Sequence, residues 1–311
     1  MNFLAILFIT LKSVIYGASV FFTGYLTENV HISDILALRF LLSFIVMWIL
    51  KILKIVPINI GLKDLFRKND RSPYMKEMIA AGLFEPVLYM VFETLGISMS
   101  SGITVAVILA LSPITNCITE IIVLKEKSSF AEKALLVAGI FGVVYIAVKS
   151  GSSGGENTVS GILFLFAAVF CGSAFAAFSR KSSSHFNAME ITYISCMLGA
   201  FAFNIFNIIR HLAEGNITNY FLPFADINNI IGFAFLAILS TIVATAMNNY
   251  ALGRLQISTA AAFGGVSTLT TILIGVFFKN EALYYYHFIG LFLIFLRMFG
   301  VTYLASKRTK E

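Results

Sequence analysis

Glu85, Tyr89 and Glu93 recur every fourth position, so a helix through them brings two carboxyls and a phenol onto one face. Pro86 beside them removes a backbone hydrogen bond and frees a carbonyl. In apolar surroundings such a stripe can hold a cationic group, and a desolvated carboxyl can also take up and release a proton. Other segments repeat the spacing. Lys12, Tyr16, Ser19 and Thr23 follow one another along one apolar run, and Ser112, Asn116 and Glu120 along another. Ser267, Thr268 and Thr271 lie late in the chain. Shifting the first stripe by 160 positions gives Thr245, Asn249 and Gly253, so the later half supplies polar, uncharged counterparts. The candidate solute-binding set is Lys12, Tyr16, Glu85, Tyr89, Glu93, Asn116, Glu120, Asn249, Ser267 and Thr271. Each member also has a structural reading. Lys12 and an acid could form a buried ion pair, Lys12 could snorkel to the interface, and the Ser, Thr and Asn side chains could join helices to each other.

The elements that must position these groups follow from composition. The chain of 311 residues is 59% hydrophobic and 12% charged, with mean hydropathy +0.89, far more apolar than a soluble domain. A hydrocarbon layer of about 30 Å takes about 20 helical residues to cross. Apolar runs of that order fall at 3–25, 34–53, 76–97, 102–124, 133–149, 158–179, 188–209, 229–252, 257–278 and 284–304. The expected fold is an all-α membrane protein of ten transmembrane helices. Lys12 interrupts the first run and no small-x-small cleavage site follows, so that run reads as a helix rather than a secretory signal.

The chain also repeats itself. Leu95, Ile97 and Ser98 return 160 positions later as Leu255, Ile257 and Ser258, and Phe141-Gly142-Val143-x-Tyr145 returns as Phe299-Gly300-Val301-x-Tyr303. Two five-helix units are expected, 1–150 and 151–311, divided near the linker KSGSSGGEN at 149–157. An odd helix count inverts the second unit, an architecture recurrent in secondary transporters. With the N-terminus inside, sixteen of the 22 Lys and Arg fall in inner segments and three in outer loops. Both termini are therefore expected in the cytoplasm of a cell-membrane protein, its positive charge turned toward anionic lipid headgroups. The +6 net charge needs no nucleic acid to explain it.

The segment IYGASVFFTGY followed by DILALRF, then FETLGISMSSGITVAVILALSPI with LKE beyond the proline, resembles the EamA-type drug/metabolite transporter superfamily. Arg39 entering the second helix, Ser112-Pro113 in the fourth, and Glu126 and Glu281 at paired helix ends carry the likeness over essentially the whole chain. The resemblance implies a central cavity lined mainly by helices one, three, four, six, eight and nine, and export of small organic metabolites. The second copy departs from it, with Thr268 where Pro113 stands in the first.

No HExxH, Gly-x-Ser-x-Gly or Walker pattern is present, the four histidines form no cluster, and the three cysteines, Cys117, Cys171 and Cys196, lack metal-like pairing. An enzyme is not expected, and neither is a cofactor or metal. Nothing in the sequence resembles the filter of a channel. The residues point to a secondary carrier and exporter of a small zwitterionic or cationic metabolite, such as an amino acid or amine, with protons a possible second partner. A broad drug exporter and a membrane-embedded sensory protein without net transport are the rival expectations.

Overall fold

The structure, a computed structural model, describes residues 3–60, 72–109, 111, 112, 115, 116, 119, 158–255, 257, 260, 263–279, 288 and 292. Among the described residues every regular element is helical. Six helices are long and apolar enough to cross a membrane: α1 (Phe3–Asn29), α2 (Ile32–Ile52), α3 (Tyr74–Ser98), α5 (Val159–Ser182), α6 (Ala188–Ala213) and α7 (Ile227–Leu252). Two shorter apolar helices join them, α4 (Gly102–Leu109) and α8 (Gly264–Lys279). These eight fall on the expected runs, while the runs at 133–149 and 284–304 lie outside the described residues, as do Glu120, Glu126, Glu281 and Arg297.

Side-chain caps set the helix starts. Thr158 accepts from Gly161 N at the start of α5, and Asn187 and Glu190 form a reciprocal capping box at the start of α6. His31 and Asp226 cap α2 and α7 in the same manner. Outward-facing stripes are apolar where a soluble protein would place charge. Leu4, Leu7, Leu11 and Val14 on α1, and Phe201, Ile205, Ile208 and Leu212 on α6, are exposed at helical spacing.

Two of the spans are not regular α-helices. In α3, residues Leu83–Leu88 form a π-turn in which Glu85 takes an extended backbone, φ −139° and ψ 113°. Pro86 excludes the α-region for the residue before it and supplies no N–H. In α7, Phe235–Ala244 is π-helical. There Thr241 returns its hydroxyl to the Leu236 carbonyl five residues back (2.8 Å), satisfying part of the wider turn.

α2 lies along α6, α3 along α5, and α1 against both α7 and α8. Gly199 lets α6 approach closely, since a Cβ there would sit 2.5 Å from the Phe40 ring. The α2–α6 pair is tied near both ends. At one end Asp34 accepts from Asn207 (2.9 Å), Arg210 (2.7 Å) and His211 (2.7 Å). At the other, Glu190 accepts from Asn59 N (3.2 Å) and Asn187 donates to the Pro57 carbonyl (2.8 Å). Asp34 and Glu190 are each the third residue of their helix.

Candidate functional site

The broken helix α3 turns its polar stripe inward. Glu85, Tyr89 and Glu93 face a cavity of about 140 Å³ between the helices, together with Lys12 and Tyr16 from α1. Beyond α4, Ser112 and Asn116 reach it, as do Ser267 and Thr271 from α8, and Asn248 from α7. Apolar side chains complete the lining, Val169 and Phe175 of α5 with Ile9, Leu252 and Ile257. These lining segments correspond to helices one, three, four, six, eight and nine of the ten expected. At roughly 10–15 Å³ for each enclosed water, the cavity has room for about ten water-sized groups.

Lys12 and Glu85 interact electrostatically across it but close no ion pair among the described residues. Tyr89 donates to Glu93 Oε1 at 2.7 Å, which fixes that carboxylate against the wall. Glu85, 9% exposed, makes no hydrogen bond among the described residues. Lys12 Nζ stands 4.6 Å from the centroid of the Tyr16 ring and forms no ion pair among the described residues. Tyr16 is itself anchored to Thr245 Oγ1 at 3.1 Å. Buried charges are normally paired or hydrated, so a cavity with a cation and two carboxylates on its walls calls for polar contents.

Eight of the ten candidate residues line this space: Lys12, Tyr16, Glu85, Tyr89, Glu93, Asn116, Ser267 and Thr271. Glu120 lies outside the described residues. Asn249 points elsewhere. Its carbonyl accepts from Ser179 (2.9 Å) and its amide donates to Thr192 (3.0 Å), which ties α7 to α5 and α6. Its neighbour Asn248 takes the lining position. The π-helical stretch explains the exchange, since each wider turn carries about one extra residue and rotates the succeeding residues relative to a regular helix. Ser19 and Thr23 are buried away from the cavity, Ser19 donating to the Tyr16 carbonyl at 2.8 Å.

Arg39 lies deeper than its place near the start of α2 suggests. It is 3% exposed and donates from Nε to Thr241 Oγ1 (2.8 Å) and from NH2 to Ser240 Oγ (3.1 Å). A second space of about 20 Å³ separates it from Tyr16 and Glu85, which border both spaces. That volume suits one water.

Known proteins share both the sequence pattern and the architecture. The model of the EamA-like transporter family matches twice, over residues 3–148 and 159–303. The uncharacterized transporter YcxC of Bacillus subtilis (strain 168) is 29% identical over 301 residues, covering 97% of this chain and 93% of that protein. An uncharacterized transporter of Archaeoglobus fulgidus is 25% identical over 212 residues, or 67% of this chain and 71% of that protein. A crystal structure superposes with TM-score 0.58 at 16% identity, over 94% of this chain and 98% of that one, a likeness of fold alone. With six membrane-length helices, a polar cavity enclosed among them and two family matches spanning nearly all of its length, the chain belongs to the EamA-like transporter family.

Proposed function

We propose that the chain is a secondary carrier for a small zwitterionic or cationic metabolite, such as an amino acid or amine, bound in the cavity between two inverted five-helix repeats. The observation that carries this reading is the placing of Lys12, Glu85 and Glu93 on the walls of one cavity, where Lys12 and Glu85 interact electrostatically yet close no ion pair among the described residues. A solute carrying an ammonium and a carboxylate satisfies both charges, and an apolar side chain suits Val169, Phe175 and Ile257 in the lining. Room for about ten water-sized groups favours a small metabolite over a broad range of drugs. The repeats, 1–150 and 151–311, move against each other to give alternating access. Placement in the cell membrane with both termini cytoplasmic follows the lysine and arginine distribution, and export follows from the family resemblance. Protons are a candidate second partner, through a carboxylate of α3.

The test is a panel of amino acids, amines, organic anions and bulky drugs on the purified protein, read by thermal shift and then by flux of labelled hits into sealed vesicles. Stabilisation and flux with small zwitterions or amines are expected. Preference for organic anions or bulky cations overturns the substrate class, and binding without flux turns the reading to a sensory protein.

A further inference from the structure

A third space, of about 40 Å³, lies beyond the cavity toward the face that carries the α1–α2 turn. It stands on four of the six helices that line the cavity, one turn further along each. On α1 the cavity takes Tyr16 and the smaller chamber Val20; on α3 they take Glu93 and Ile97; on α4, Ala106 and Gly102; on α8, Thr271 and Gly275. Four residues of helix rise about 6 Å, so a single layer of side chains divides the two. Thr271 borders both.

That layer is closed by a contact between α1 and α8. Thr271 shares its hydroxyl between the Gly17 carbonyl across the contact (3.0 Å) and the Ser267 carbonyl of its own helix (3.1 Å). A Cβ on Gly17 would lie 2.6 Å from the Ser267 carbonyl oxygen and 2.6 Å from Thr270 Cβ, so the two backbones meet only because Gly17 has no side chain. The chamber beyond is largely apolar, with Ser100 and Thr271 as its polar side chains. Ser100, on its wall, has a buried hydroxyl with no hydrogen-bond partner among the described residues. A volume of about 40 Å³ accommodates about three waters, and water there satisfies Ser100.

We infer that the Gly17–Thr271 contact is a gate on the solute's path, and that the small chamber is the hydrated vestibule on its far side. The inference rests on the cavity being the transport site. α1 falls in the first family match and α8 in the second, so a motion of one repeat against the other separates this contact. The vestibule is too small for a solute that fills the cavity. The described arrangement is therefore shut at this face, and passage requires α1 and α8 to part.

The test places single cysteines in a chain whose Cys117, Cys171 and Cys196 are replaced by alanine. Ile274→Cys reports the vestibule and Ser267→Cys the cavity, with a membrane-impermeant methanethiosulfonate applied in turn to each face of sealed vesicles. From the face of the α1–α2 turn, Ile274→Cys reacts readily and Ser267→Cys slowly. Adding Thr271→Val, which deletes the hydroxyl bond at nearly constant shape, raises the Ser267→Cys rate at least tenfold. Gly17→Ala, which forces the contact apart, does the same. Should Gly17→Ala fail to fold, Thr271→Val alone decides. Equal rates at both reporters in the parent chain, a protected Ile274→Cys, or an unchanged Ser267→Cys rate in a folded Thr271→Val variant overturns the gate. Labelling needs no solute, so an unchanged rate in a chain that still binds zwitterions sinks the gate alone. Gated labelling, with a parent chain that keeps Ser267 and Thr271 yet binds neither zwitterion nor amine, sinks the cavity reading alone.

Discussion

The two carboxyls of α3 differ in how they are held. Glu93 is tied to the Tyr89 hydroxyl at 2.7 Å, whereas Glu85 is left without a hydrogen bond among the described residues. Glu93→Gln keeps the shape and removes the charge. It is expected to abolish binding and flux of a cationic solute with little change in melting temperature, and Tyr89→Phe to weaken binding about tenfold. A large melting shift with intact binding would make the pair structural. The neighbouring amides of α7 make a second comparison. Asn248→Ala is expected to lower solute affinity without loss of stability. Asn249→Ala breaks bonds to Ser179 and Thr192 and is expected to cost about 1 kcal/mol, at the roughly 0.6 kcal/mol typical of each such bond in a membrane. Chemical denaturation and a binding titration on both variants check the split. Most of the cavity's side chains were legible in the sequence because a helical face is legible from spacing. The exchange of Asn248 for Asn249 was not, because nothing in the sequence announces that Phe235–Ala244 winds as a π-helix. The depth of Arg39 was not legible for a related reason, since position along α2 says nothing of which neighbours close over it.

Among the elements, α2 and α6 are set apart by polar ties near both ends. Asp34→Asn is expected to destabilise the protein by about 3 kcal/mol, because Arg210 and His211 lose their shared carboxylate in a buried setting. Thermal unfolding of the variant should show the loss, with affinity for any solute unaltered, since Asp34 does not line the cavity. The sequence announced α2 and α6 as apolar runs with acids near their starts. It offered no means of matching Asp34 to His211, which lies 177 positions away, because such a pairing is decided by packing and not by local pattern. The interruption of α3 was legible from Pro86, whereas its form, with Glu85 extended inside a π-turn, was not.

For the whole molecule, the proposed inversion of the repeats predicts which loops share a side. Cysteines introduced in 151–157 and in 215–219 should react with an impermeant reagent from outside intact cells, while cysteines in 63–70 should not. Reaction of all three from one side would overturn the inversion and the alternating access built on it. The membrane class and the doubling of the chain were legible because apolar length and repetition survive without any knowledge of contacts. The partition of the interior into a cavity and smaller chambers was not, since it depends on where glycines let helices touch. The ties between α2 and α6 bear also on how the protein is made. Each of the three groups that hold Asp34 belongs to residues after 200, so a ribosome will have delivered the first half to the bilayer long before its acid can be answered. During that interval Asp34 has only water and the N-terminus of α2 to answer its charge, and the first half lacks the ties that fasten it to α6. Residues 1–150 expressed alone should be degraded rapidly, and co-expression of 151–311 as a separate chain should restore them, a rescue that Asp34→Ala should weaken. Pulse-chase turnover of the half-chain is the measurement, and equal lifetimes with and without the second half would show that assembly does not wait on this contact.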